Sequence, residues 1–153
     1  MDFPVGCSDD WQRLDEIRRL VRDTLCAHPA ELQNAAAMTA SELVENAMKY
    51  GEPLPQRDGG RLTVSADDST ITITVENAAA AGERIATLER SIERIHAAKA
   101  PEELYLARLQ EFGEDSEASG QLGLLRIAFE GRFDIRCAYS EPVLTMTAKR
   151  VIS

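Results

Sequence analysis

The chain is short of the features that would place it outside a reducing, aqueous compartment. Its three cysteines, Cys7, Cys26 and Cys137, are odd in number, far apart and set among apolar residues, which fits reduced core thiols better than a disulfide framework. No Cys-x-x-Cys occurs. No stretch approaches the roughly 18 consecutive apolar residues of a membrane span, and Met1-Asp2-Phe3-Pro4-Val5 lacks the basic start and apolar run of a signal peptide. Lys and Arg number 17 against 26 Asp and Glu, a formal net charge of −9. That balance leaves no cationic stripe to neutralise phosphates along a duplex and disfavours anionic membranes. The two histidines, His28 and His96, have no second ligand at metal spacing and read as surface residues. No Gly-x-Ser-x-Gly elbow or triad-like motif is present. The expectation is a cytoplasmic protein with neither nucleic acid nor membrane as partner.

What is there is enough for one core. At 153 residues and 44% hydrophobic content, a single domain over residues 1–153 is expected. Ser8 before Asp9 and Asp10 reads as an N-cap with an acidic first turn, and Leu14, Ile17, Val21 and Leu25 follow at helical spacing, predicting a helix from about Asp9 to Cys26. Pro29 opens a second helix carrying Leu32, Ala36, Leu43, Ala47 and Tyr50 on its apolar side and stopped by Gly51. Leu62 and Val64, then Ile71, Ile73 and Val75 beyond an Asp67-Asp68-Ser69 turn, alternate with Thr and Ser as a half-buried hairpin does. A third helical pattern runs through Ile85, Leu88, Ile92 and Ile95, and Pro101 opens a fourth with Tyr105, Leu109 and Phe112.

Gly113 to Ser119 reads as an acidic loop, and Leu122 to Phe129 as a short buried helix ended by Gly131. Phe133, Ile135, Cys137 and Tyr139, then Leu144, Met146 and Ala148, give a second hairpin turned at Glu141-Pro142. Trp11 and Tyr105 read as packing residues. This order predicts a two-layer α/β sandwich: a mostly antiparallel sheet with helices on one face.

One constellation carries chemistry. Glu42, Asn46 and Lys49 stand at i, i+4 and i+7 and project from one helical face, with Leu43, Ala47 and Tyr50 beside them. A carboxylate can accept a hydroxyl proton, an amide oxygen can hold Mg²⁺ while waters and phosphates complete its shell, and an ammonium supplies charge to phosphate. The same spacing also fits the solvated face of an amphipathic helix.

Glu42-Leu43-Val44-x-Asn46-Ala47-x-Lys49-Tyr50-Gly51, at the end of a second helix and followed by a hairpin, resembles the N-box of the ATPase fold shared by gyrase, Hsp90, histidine kinases and MutL (the GHKL or Bergerat fold). Length and the two leading helices look most like the anti-sigma-factor serine kinases of the SpoIIAB and RsbW kind. The resemblance spans roughly residues 3–150 and implies ATP and Mg²⁺ as cofactors, Asn46 as the magnesium ligand, Glu42 as the general base, and Lys49 where histidine kinases often carry one. It implies as partner an anti-sigma-factor antagonist of the STAS-like kind or a sigma factor, and by analogy a homodimer.

Two further motifs of that family are altered here. Its adenine-binding Asp-x-Gly-x-Gly is replaced by Val75-Glu76-Asn77-Ala78-Ala79-Ala80-Ala81-Gly82. Asn77 can still accept from an adenine amino group, without the charge-assisted part of the bond, on the order of 1 kcal/mol or more. The missing glycines crowd a close backbone approach. Its phosphate loop, at a helix N-terminus, is matched in part by Ser119-Gly120-Gln121-Leu122-Gly123-Leu124, assigning Gly120, Leu122, Gly123 and Leu124 to the phosphates; a buried Leu-rich helix with a flexible lead-in is the alternative. Between the two motifs, residues 78–119 form a lid-like segment. Its Pro-Glu-Glu-Leu-Tyr step and the later Gly-Leu-Leu-Arg-Ile-Ala helix look similar to the SiaB-like branch of partner-switching proteins, whose members phosphorylate a small protein. The altered motifs fit equally a pseudo-kinase that binds a regulatory protein without nucleotide.

Overall fold

The computed structural model describes residues 2–5, 12–50, 60–97 and 116–152, with side chains from 13–49, 60–97 and 123–152. In chain order the elements are β1 (Asp2–Val5), α1 (Gln12–Thr24), α2 (Ala30–Tyr50), β2 (Gly60–Ala66), β3 (Thr70–Ala78), α3 (Glu83–Ala97), α4 (Ser116–Phe129), β4 (Asp134–Ser140) and β5 (Val143–Val151). The strands form one antiparallel sheet in the order β1-β2-β3-β5-β4. The predicted sandwich is the observed fold.

Register explains why one face is buried. Val64 pairs with Ile73, Ile73 with Ala148, and Ala148 with Ile135, so a row of buried side chains crosses four strands. One residue along, Thr63, Thr74, Thr147 and Arg136 form the matching row of the opposite face. The helices cover the first face: α2 lies on β3 and is flanked by α1 and α4, while α3 packs on β4. Leu14, Ile17 and Val21 of α1 and Ile85, Leu88 and Ile92 of α3 are buried at the spacing read from the sequence.

Two polar clasps fix the helical layer. Arg150 of β5 donates from both terminal nitrogens to Glu31 of α2 and from Nη1 to the Gly131 carbonyl. His96, expected at the surface, sits with Nε2 2.6 Å from the Ile135 carbonyl and 3.2 Å from Asp134 Oδ1, joining the end of α3 to the start of β4.

The structure corrects several expectations. β1 was not foreseen; it pairs with β2 from Asp2↔Thr63 to Val5↔Gly60. Cys26 is exposed, just past the end of α1, and so is not a core thiol, while Cys137 is half-buried and packs against the edge of the core. The stretch read as a loop up to Ser119 is already helical from Ser116. At the other end of α4 the left-handed residue is Arg132, with φ 58°. Gly131 is required there for room, since a Cβ would sit 2.9 Å from both the Ile127 carbonyl and Thr39 Oγ1. Cys7, Trp11, Gly51 and the helix expected from Pro101 to Phe112 lie outside the described residues.

Candidate functional site

α2 is built to bring polar groups close to the sheet. Ala36, Ala37, Ala40, Leu43, Val44 and Ala47 are buried, and the small side chains let the helix approach its neighbours closely. The three residues expected on its chemical face enter three different environments. The Glu42 side chain is 13% exposed, Asn46 is 4% exposed, and Lys49 lies in solvent reach at the last turn.

Glu42 is tied across to α4. Arg126 Nη1 donates to Glu42 Oε1 at 2.6 Å, and a Cβ on Gly123, one turn earlier, would overlap Glu42 Oε2. Glycine at 123 is thus what admits the carboxylate. Burial pushes the Glu42 pKa above its ordinary value, Glu45 and Glu130 add to the rise, and Arg126 and Arg18 oppose it. A carboxylate with raised proton affinity, yet held by a cation, is suited to accept a hydroxyl proton.

Asn46 carries the sharpest signal. Its Nδ2 is buried and has no hydrogen-bond partner. Asn77, at the end of β3 and 8% exposed, donates from Nδ2 to the carbonyls of Ala47 at 3.3 Å and Ala78 at 3.1 Å. Those bonds fix the amide orientation and leave its buried Oδ1 without a donor. Because Ala47 follows Asn46, the two amides flank one junction of α2 and β3. A buried polar atom without a partner costs about 1–3 kcal/mol, and such atoms are rare enough that each needs a reason. Gly60 helps to make the space: a Cβ there would overlap the Glu76 carbonyl and sit 3.0 Å from Asn77 Cβ.

The phosphate-side expectations fare differently. Since α4 begins at Ser116, Gly120, Leu122, Gly123 and Leu124 lie inside the helix, where amides bond to carbonyls four residues back, and not in a loop at its N-terminus. Ser116-Glu117-Ala118 supplies a polar start and helix formers ahead of Gly120. Leu124 is buried in the core, and Gly123 faces Glu42. Lys49 offers its carbonyl to Arg84 Nη1 of α3 at 3.3 Å, placing a second cation at the C-terminal end of α2.

The donors therefore fit the expected group in part. Glu42 suits the proton-accepting side and the Asn77 Oδ1 acceptor suits an amino-bearing base; the orphaned atom of Asn46 is its Nδ2, a donor that calls for an acceptor oxygen and not for a cation, and the helical Gly120–Leu124 stretch does not present a phosphate cradle. Sequence reading missed Arg126, Arg84 and Gly60. Only Arg126 had a signal, its place one helical turn beyond Gly123.

Fold and site together define a two-layer sandwich with buried polar side chains gathered near the end of α2. The fold is similar to that in the crystal structure of the SiaB-SiaC complex from Pseudomonas aeruginosa, with a TM-score of 0.59 and 16% sequence identity over 99% of this chain and 89% of that chain. At that identity the likeness is one of fold. No family model and no curated protein matches the sequence. Among the described residues, no helix is long and apolar enough to cross a membrane.

Proposed function

We propose that this chain is a cytoplasmic regulatory signalling protein of the anti-sigma-factor-kinase-like kind, binding ATP and Mg²⁺ beside α2 and phosphorylating or sequestering a protein partner. The observation that carries the reading is the pair of buried, unpartnered amide atoms, Asn46 Nδ2 and Asn77 Oδ1, on either side of the junction where the N-box resemblance puts a nucleotide. In this reading Asn46 would hold Mg²⁺ through its amide oxygen and turn its unpartnered Nδ2 to an oxygen of the nucleotide, and the ion, when bound, would supply charge neutralisation at the phosphates. Asn77 Oδ1 accepts from the adenine amino group. Glu42 would take the proton of a partner Ser or Thr hydroxyl, and Lys49 would supply positive charge to the phosphates. The similar crystal structure is of a complex, which supports a protein partner here; the family resemblance makes that partner one of the STAS-like antagonist or sigma-factor kind.

Calorimetric titration of ATP with Mg²⁺ into nucleotide-stripped wild type and Asn46→Ala tests the reading. Micromolar binding that disappears in the variant is expected. Absence of heat in both proteins would refute the nucleotide half.

A second reading is a pseudo-kinase that recognises a regulatory protein without nucleotide. Its supporting observation is the helical Gly120–Leu124 stretch, together with an amide where the family carries a carboxylate. Retained partner binding with no ATP binding distinguishes it.

A further inference from the structure

The Glu42 carboxylate is closed on both sides. Arg126 Nη1 holds Oε1 at 2.6 Å, and Oε2 is packed against Gly123. Both groups that close it belong to α4, and Glu130, just past the end of that helix, lies one turn beyond Arg126 on the same stripe. Each member of the ion pair also has a second partner at hand. Arg126 Nε lies 3.5 Å from Glu130 Oε2, an i, i+4 contact that does not depend on where α4 lies against α2. Glu42 feels the charge of Arg18 on α1; Arg18 spends Nη1 on Asp15 at 2.7 Å and keeps donors on its other nitrogens. If α4 moves off α2, Arg126 falls back on Glu130 and Glu42 on Arg18, so neither charge is left uncompensated. The first half of α4 is also a weak helix, since Gly120 and Gly123 each cost about 1 kcal/mol relative to alanine. Arg126 is 38% exposed, so the clasp can be reached from outside.

We propose that the contact of α4 with Glu42 is autoinhibitory: the arrangement described is the closed form, Arg126 is its latch, and the carboxylate is freed when Arg126 exchanges Glu42 for Glu130 and Gly123 moves off Oε2. Its inhibitory meaning rests on the reading of Glu42 as the proton acceptor, whereas the latch itself is a property of α2 and α4 and needs no nucleotide. The device works by exchange of partners between charges already present: one ion pair across two helices is traded for one along α4 and one between α2 and α1. Such a contact sits near balance, because what is lost on opening is largely recovered.

Amide hydrogen exchange of the full chain without nucleotide tests the latch, read at residues 123–129 and referred to Ile71 and Ile73 of the central strand β3. In Arg126→Gln α4 exchanges about tenfold faster, as for loss of a half-buried ion pair, while β3 is unchanged. Glu130→Gln, at a side chain 40% exposed, leaves folding intact and moves the other way: exchange of α4 slows about twofold, because Arg126 loses the alternative partner, worth no more than an exposed helix pair, and Glu42 loses a like charge. A Glu130 that merely supports the end of α4 gives faster exchange when removed, and that result overturns the latch, as does an unchanged α4 in Arg126→Gln. Carbodiimide coupling of glycinamide reads the masking itself. In the wild type Glu42 reacts several times more slowly than Glu76, exposed on β3; equal rates refute the closed form. Neither readout involves ATP, so a failure here leaves the nucleotide reading standing, and a failed ATP titration leaves the latch standing.

Discussion

α2 and α4 pack against one another, yet they treat polarity in opposite ways. α2 buries Thr39, Ser41 and Asn46 along with Ala36, Ala37, Ala40, Ala47 and Leu43, and leaves Thr39 Oγ1 and Asn46 Nδ2 without partners. α4 buries Leu124, Leu125 and Ile127, and reaches across to α2 through the ion pair of Arg126 with Glu42. A helix that carries buried orphan groups needs another face to stabilise it. In α2 the apolar row supplies that stability, and the polar row is kept for something else. The comparison teaches that the two halves of the resemblance have different physical standing: the α2 half looks like a site, and the α4 half looks like core.

Four experiments break or sharpen this contrast. Leu43→Ala, on the apolar row and fully buried, should cost about 2–5 kcal/mol by cavity formation, read as a large fall in Tm. Asn46→Leu, on the polar row, should move stability the other way by about 1–3 kcal/mol, since it removes an unsatisfied buried amide, while abolishing ATP·Mg²⁺ binding in calorimetry. Loss of stability in that variant would mean the amide is satisfied within the fold. Gly123→Ala sets a gain in helix propensity of about 1 kcal/mol against displacement of Glu42 Oε2, the mobile end of its side chain. Its Tm should stay within a few degrees of wild type, while the Glu42 NMR titration shifts.

The smallest effect is in the pH dependence of stability. Glu42 has a folded pKa above its unfolded one, so the native state binds more protons. Its contribution is fully present below the unfolded pKa and is lost as pH rises through the folded one. Asp67 is the opposite case. The Ser69 amide and hydroxyl and the Thr70 amide lower its pKa, so its contribution is present above the unfolded pKa and is lost as pH falls through the folded one. Denaturant unfolding across the acid range should therefore show a slope of one sign removed by Glu42→Gln and a slope of the other sign removed by Asp67→Ala. Equal slopes in both variants would refute the assignment.

Much of the fold was legible because its periodicities are local. The alternation of Ile71, Ile73 and Val75, and the helical spacing of Ile85, Leu88 and Ile92, map directly onto buried positions. β1 escaped because four residues containing Pro4 are too few to show alternation, and proline is tolerated on an edge strand, where its missing N–H is not needed. Gly120 misled in the other direction: it suggests a lead-in to a helix beginning at Leu122, but the helix already passes through it, while Gly123, inside the helix as expected, serves a close contact with Glu42. Of the candidate site, the sequence displays the part that lies on one helix, as with Glu42 and Asn46. The contact between helices was harder to read, because Arg126 lies 84 positions from its partner and its place one turn beyond Gly123 does not say which residue it meets.

The strand order has a consequence for how the sheet comes together. β5 lies between β3 and β4 and follows both in the chain, so until Val143–Val151 emerges from the ribosome the β1-β2-β3 half and β4 have no ladder between them. Up to that moment β3 offers a bare edge carrying Ile71, Ile73 and Val75, a hydrophobic template open to wrong pairing. Assembly of the central sheet is thus a late, non-local event, and the growing chain depends on the early α1–α2 pair to cover the half-finished core.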